Sequence, residues 1–327
     1  MRIVLTGGAG FIGSHVADHL LETQPDTKLT ILDKMTYAAD FRNVADALTH
    51  RHTRLVVGDI CDLETCQRVT KDADLVIHLA AESHVDNSFG NSLHFTRVNV
   101  LGTHTLAEAC RINKVPRLLH VSTDEVCGDI IEGAFSESSP LAPTNPYSAS
   151  KAGAEMVLRG YISSFGLPVV ICRGNNVYGP RQYPEKIIPK FCLLLERGQP
   201  LTVHGDGSNV RSYLAVQDFA AAIAQLALSG ITGEVYNVGT TEEYTNLEIA
   251  NMLSERFGRP TANVCFVADR PFNDRRYSVD SSKMQALGWR PQRTLIGELD
   301  KIVAWYRTNA GRYPDDPSGW RLDRNAR

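Results

Sequence analysis

Residues 2–15 read RIVLTGGAGFIGSH, a run of branched apolar residues that passes directly into glycines. Gly7, Gly10 and Gly13 are spaced G-x-x-G-x-x-G. Glycines placed this way let the backbone turn sharply and approach a pyrophosphate, which then rests on the N-terminus of the next helix. Glycine triplets are common in turns, so the surroundings decide. This one leaves a strand-like run, opens the helical pattern FIGSHVADHLLET and is followed, twenty residues after Gly13, by Asp33 at the end of a second apolar run. That context makes it a dinucleotide-binding fingerprint. Asp33 is placed to hold both hydroxyls of an adenosine ribose, and its charge repels a 2′-phosphate, so the cofactor expected is NAD and not NADP.

Working outward, further apolar runs lie at 29–33, 54–58, 75–80, 117–122 and 167–173, with helical patterns such as VNVLGTHTLAEACRIN between them. Most are β-branched and nearly continuous, as strands buried on both faces are. The alternation predicts an α/β fold, a doubly wound Rossmann-type parallel sheet. Beyond about residue 175 proline and glycine become frequent and the alternation loosens. The expected division is an NAD-binding domain over 1–176, to which 212–238 returns. A smaller, interleaved substrate domain is expected over 177–211 and 239–327. Asp59, in the GDI at 58–60, is placed either beside the adenine or as a helix N-cap.

The composition is that of an ordinary globular protein: 327 residues, 43% hydrophobic, 22% charged, net charge −3. It lacks the basic footprint of a nucleic-acid or membrane-surface protein. The N-terminal run is too short for a signal peptide or a membrane span. Seven cysteines without a CxxC pair suggest reduced thiols in the cytoplasm, and the ten scattered histidines offer no metal-ligand spacing.

Two further stretches carry chemistry. PTNPYSASKAGAEMVL sets Tyr147 and Lys151 four apart, just inside a helix opened by Pro146, so phenol and ammonium share a face. A nearby ammonium is expected to lower the phenol's pKa and make it a base near neutrality. VSTDEVCGD (121–129) sets Asp124 and Glu125 side by side at the mouth of a buried strand, where charge is costly; such acids mark a turn or a site.

The glycine loop, Asp33, Ser122/Thr123 and Tyr147/Lys151 together resemble the extended short-chain dehydrogenase/reductase family, over nearly the whole chain. Within it, HVSTDEVCGD is similar to the Thr-Asp-Glu signature of the nucleoside-diphospho-glucose 4,6-dehydratases. HLAAESHVD, TNPYSASKAGAE, NNVYGPRQYPEKIIPKF, GDGSNVR, YNVG and the DRR at 274–276 match the same group in order. The resemblance implies that Thr123 binds the C4 oxygen of the sugar, Tyr147 takes its proton and Lys151 holds the nicotinamide ribose. Asp124 becomes the acid at the C6 hydroxyl and Glu125 the base at C5. Phe11, Ile12, Lys34, Asp59, Ile60, Leu79, Ala80, Ala81, Ser83, Ser122 and Val177 then belong to the NAD site. Ser83, Thr123, Asn176, Lys186, Ile187, Arg211, Asn246 and Arg270 belong to the sugar-nucleotide site, and no metal is implied.

Cys127 departs from the group, which usually has Tyr there; it reads as a small packing residue. RSYL and RPFND, where the bacterial dTDP-glucose enzymes usually read otherwise, favour UDP-glucose over dTDP-glucose. The family also implies a homodimer formed by the helix after Tyr147 and the one around 99–112. The competing readings are a UDP-sugar 4-epimerase, a UDP-glucuronate decarboxylase and a non-catalytic NAD-binding scaffold.

Overall fold

The apolar runs form the strands of one layer. The computed structural model describes residues 1–259 and 264–314, so two stretches of the expected substrate domain, 260–263 and 315–327, lie outside the described residues. The strands are β1 (Arg2–Thr6), β2 (Lys28–Asp33), β3 (Thr53–Val57), β4 (Leu75–His78), β5 (Leu118–Thr123), β6 (Val169–Gly174), β7 (Asn176–Tyr178), β8 (Leu201–His204), β9 (Val210–Ala215), β10 (Val235–Val238), β11 (Glu243–Thr245) and β12 (Val264–Val267). The main sheet has seven strands in the order β10-β6-β5-β4-β1-β2-β3, and every pairing in it is parallel. The order reverses between β1 and β4, and a crevice opens there beyond the carboxyl ends of the strands.

Every residue of β4, β5, β6 and β10 is buried, which is why these runs carry no polar alternation. One face of the sheet packs on the helices Phe11–Thr23 and Val216–Ser229 through Val16, Leu20, Phe219 and Ile223. The other packs on Gly102–Ile112 and Pro146–Phe165 through Leu106, Cys110 and Leu158. Two small sheets, β11-β9-β7 and β12-β8, complete the second lobe. Its core is formed with the helices Ile187–Glu196, Asn246–Arg256 and Leu295–Asn309.

The expected return of 212–238 to the main sheet begins later than the sequence suggested. Residues 212–215 belong to β9, which pairs with β7 and β11, and only the helix Val216–Ser229 and β10 rejoin the first lobe. The helix read over 98–113 also differs: Thr96–Leu101 is a π-helical turn, and the α-helix starts at Gly102. The turn places buried Asn99 so that its amide pairs with both backbone groups of Glu82, at 2.9 Å each, and with Ser150 Oγ at 2.8 Å. Asn99 thereby ties the loop after β4 to the helix that carries Tyr147.

Candidate active site

The glycine loop leaves β1 and crosses the loop that leaves β4. Gly7 has φ +71°, and a Cβ on it would lie 2.7 Å from Ala80 N. A Cβ on Gly13 would lie 2.2 Å from Gly7 O, so the loop folds onto the first helical turn only with glycine there. The helix Phe11–Thr23 begins at Gly10 without a side-chain cap. Its first amides therefore stay available to an anion. Asp33 closes the end of β2, where its carboxylate accepts from Ala9 N and Met35 N, both at 2.9 Å. Burial raises its pKa. Lys34 pairs with Asp59 at 2.8 Å across the next strand end, and Asp59 also caps Cys61 N. A close-approach loop, an uncapped helix start and a carboxylate at the second strand end fit a dinucleotide.

β5 delivers Ser122 and Thr123 to the crevice and ends in a short 3₁₀ turn, Asp124–Cys127, capped by Thr123. Thr123 Oγ1 accepts from Glu125 N at 3.3 Å and donates to Asp124 Oδ1 at 3.1 Å. Asn175 Nδ2 donates to the other Asp124 oxygen at 2.8 Å, and Asn145 Nδ2 donates to Glu125 Oε2 at 3.4 Å. Tyr277 places its hydroxyl between Glu125 and Asp274. Burial, then the charge of Glu125, pushes the Asp124 carboxyl up to about 7. Burial raises Glu125 as well, but Lys186, Arg211 and the Asn145 amide oppose the rise. Both neighbours are thus raised by burial, and they differ in what opposes it: hydrogen bonds from Asn175 and Thr123 at Asp124, the cations Lys186 and Arg211 first at Glu125.

The helix Pro146–Phe165 starts with a capping box between Asn145 and Ser148, has Pro146 in its first turn and ends at the left-handed Gly166. Tyr147 and Lys151 are buried on its inner face beside Thr123. The expected lowering of the phenol by Lys151 is not found. Burial and the Glu125 carboxylate push Tyr147 up, and only its hydrogen bond with Thr123 pulls it down. Lys151 is itself lowered to about 8 by burial, and its ammonium donates to Val121 O at 2.7 Å, which directs it to the end of β5.

One cleft of about 430 Å³ gathers the candidates. Gly7, Gly10, Phe11, Ile12, Gly13, Asp33, Lys34, Asp59, Ile60, Leu79, Ala80, Ala81, Ser83, Ser122 and Val177 line it. So do Thr123, Glu125, Tyr147 and Lys151, and Asn176, Lys186, Ile187, Arg211, Asn246 and Arg270. Asp124 is set one layer behind this lining, 2% exposed. Lys186 Nζ donates to Ser83 O at 2.7 Å, and Arg270 faces Asp86 at 3.3 Å. Arg211 stacks on Tyr277 at 4.6 Å.

Cys127 is buried away from the cleft, among Val126, Ala152, Phe135 and Leu141. Its sulfur accepts from Arg173, whose guanidinium is paired bidentately with Glu155 in full burial. Asn145, Asn175 and Tyr277, which hold the two acids, were missed by the sequence reading. Asn145 and Asn175 stand beside motif residues, as the N-cap before Pro146–Tyr147 and the first residue of the NNVYGP match. Tyr277 is brought in from far along the chain, where it directly follows the DRR at 274–276 that matches the same group.

The model of the GDP-mannose 4,6 dehydratase family matches residues 4–301. The chain belongs to that family. Among relatives of this GDP-mannose 4,6 dehydratase family member, a trifunctional UDP-glucose 4,6-dehydratase/UDP-4-keto-6-deoxy-D-glucose 3,5-epimerase/UDP-4-keto-L-rhamnose-reductase of Arabidopsis thaliana is 48% identical over 94% of the chain. The chain spans about half of that protein, 47% of its length. A dTDP-glucose 4,6-dehydratase of an Actinoplanes species is 44% identical, with 94% of this chain and 98% of that protein aligned. The crystal structure of a dTDP-glucose 4,6-dehydratase from Streptomyces venezuelae, solved with NAD bound, superposes with a TM-score of 0.94 at 43% identity. That superposition covers 96% of this chain and 99% of that one. The doubly wound sheet and the motif resemblance are both borne out.

Proposed function

We propose that this chain catalyses the NAD-dependent 4,6-dehydration of a nucleoside-diphospho-glucose, UDP-glucose in preference to dTDP-glucose, to the 4-keto-6-deoxy sugar nucleotide. The observation that carries the reading is the buried Asp124–Glu125 pair, both carboxyls raised by burial and Glu125 facing the cations Lys186 and Arg211, next to Thr123 and Tyr147. An epimerase needs the Thr and Tyr but no such pair, and a passive scaffold needs neither.

The glycine loop, the start of the helix Phe11–Thr23 and Asp33 would hold the dinucleotide, and Lys151 would hold its nicotinamide ribose. Bound NAD supplies a hydride acceptor for C4, a hydride donor for C6, and a positive ring charge that favours the Tyr147 phenolate. Thr123 orients the C4 hydroxyl and Tyr147 takes its proton. With C4 a ketone, the C5 proton is acidic and Glu125 removes it. Asp124 gives its proton to the departing C6 hydroxyl, which leaves as water. As C6 is reduced Glu125 returns its proton to C5, so Tyr147 ends the turnover with one proton too many and Asp124 with one too few, and proton exchange resets the site.

The preference for UDP-glucose rests on RSYL and RPFND and on the plant relative. Two further readings accompany it. The second lobe, built around 177–215 and the helices Asn246–Arg256 and Leu295–Asn309, is the substrate domain. The chain works in the cytoplasm as a homodimer, joined through Thr96–Ile112 and Pro146–Phe165, where Leu101, Ile112, Met156 and Phe165 leave apolar surface exposed. To test the reaction, the purified protein with NAD is incubated with UDP-glucose and dTDP-glucose and the sugar nucleotide is weighed by mass spectrometry. Loss of one water with a 4-ketone is expected, faster from UDP-glucose. A product of unchanged mass would identify an epimerase.

A further inference from the structure

Beside Lys151 lies an ion pair that the chemistry above does not use. Glu155 and Arg173 are both fully buried, and the guanidinium holds the carboxylate at two points, Nε to Oε1 at 3.0 Å and Nη2 to Oε2 at 2.7 Å. Taking two charges out of water is costly, and such a pair adds no more stability than well-packed apolar side chains of the same volume. Its position therefore matters more than its strength. Glu155 stands four residues after Lys151 on the helix Pro146–Phe165, on the same buried face. Arg173 lies on β6 opposite Ser122, one residue before Gly174, which pairs with Thr123.

Lys151 is 5% exposed, and the acceptor of its ammonium, Val121 O, carries no full charge. Burial draws Lys151 down to about 8, and the charge that opposes the fall is that of Glu155. The pair thus acts on Lys151 through its negative partner. The remaining donors of Arg173 go to Cys127 Sγ at 3.7 Å and Glu137 O at 3.4 Å, which fixes the guanidinium and with it the Glu155 carboxylate. Three other titratable groups beside Lys151 are neutral. Burial, then the charge of Lys151, lowers His78 on β4 and His120 on β5, and burial first raises the Tyr147 phenol one turn back.

We infer that Glu155 is a positioning residue of the catalytic helix, whose carboxylate, held in place by Arg173, serves as the buried counter-charge of the Lys151 ammonium. The inference rests on the reading of Lys151 as the residue that holds the nicotinamide ribose. It gives that lysine what Tyr147 and Val121 O do not, a full negative charge. Without it only burial acts on the ammonium, which then gives up its proton at lower pH. Arg173 is needed because an unpaired carboxylate in full burial would take up a proton and lose its charge. Glu155 does not line the cleft, so its effect reaches the cofactor through Lys151.

Glu155→Gln and the double variant Glu155→Gln/Arg173→Gln test this. The double variant removes both charges and leaves two amides that can pair, so no unpaired charge is left to unfold the chain. In protein isotope-labelled at lysine Cε, NMR follows the titration of Lys151, whose signal is assigned by its absence from Lys151→Met. Both variants should lose the ammonium about 1 pH unit or more below the unmutated protein. Calorimetry with NAD should show affinity falling as pH rises, with the fall starting about 1 unit lower in the variants. A Lys151 that titrates at the unmutated position in the double variant, or an unchanged pH dependence of NAD affinity, overturns the inference. The pair would then act by its shape, or the single variant through its stranded guanidinium. If Lys151 moves as expected and the unmutated protein forms no 4-keto product from UDP-glucose, the dehydratase reading fails and the counter-charge stands. If product forms and Lys151 does not move, the counter-charge fails and the dehydratase reading stands.

Discussion

Asp124 and Glu125 are adjacent in the chain, yet Asp124 rests on Asn175 and Thr123 while Glu125 is turned toward Asn145 and the cations of the second lobe. Their roles separate on substitution. Glu125→Gln should lose exchange of the C5 proton with heavy water, read by mass spectrometry of the recovered sugar. Asp124→Asn should retain that exchange and lose roughly 10²–10⁴ in the rate of water elimination. Tyr147→Phe should show neither. Equal rates for both acid variants and the unmutated protein would reduce the pair to a turn. Asp124 also carries a stability signature. Its folded pKa of about 7 stands above the ordinary 3.8, so its contribution is complete below about pH 4 and is lost as pH rises through 7. Asp124→Asn removes that loss. Thermal denaturation should find the variant more stable than the parent at pH 8, by on the order of 2 kcal/mol, with the difference closing at pH 4.

The start of the helix Pro146–Phe165 does two things with one side chain. Asn145 Oδ1 caps Ser148 N at 2.9 Å, and its Nδ2 donates to Glu125. Asn145→Ala should cost about 1 kcal/mol of stability and also slow the reaction, because Glu125 loses a donor that favours its anion. Asn145→Ser keeps a capping oxygen and lacks the amide donor. It should therefore recover most of the melting temperature and little of the rate. A Ser variant with full activity would show that the contact to Glu125 is idle.

The helix Pro146–Phe165 packs closely on the π-helical turn, where a Cβ on Gly153 would sit 3.1 Å from Val100. That turn, the helix Gly102–Ile112 that continues it and Pro146–Phe165 together present Leu101, Ile112, Met156 and Phe165 to solvent, 48%, 43%, 48% and 58% exposed. Exposed apolar side chains on adjoining helices are what an interface would cover. Met156→Glu should shift the molecular mass from dimer to monomer in light scattering, while a charge placed at exposed Leu228, on a different helix, should not. A monomeric parent would remove the homodimer.

The doubly wound sheet was legible in the chain because parallel strands buried on both faces need unbroken apolar runs, and because the glycine loop is a local backbone requirement. Asp33, Thr123, Asp124, Glu125, Tyr147 and Lys151 were legible for a related reason: each lies in a short motif whose spacing along one strand end or helix turn already sets its direction. Other features depended on contacts between distant segments. Among them were the partition of 210–215 into the small sheet, the π-helical turn that positions Asn99, and Tyr277 beside the acids. The same holds for proton affinity. No spacing shows that Lys151 is held by Val121 O, that Tyr147 is raised by burial and Glu125, or that burial raises both acids while Lys186 and Arg211 oppose the rise at Glu125. A pKa depends on desolvation and on charges from every packed element, and those exist only once the chain has folded.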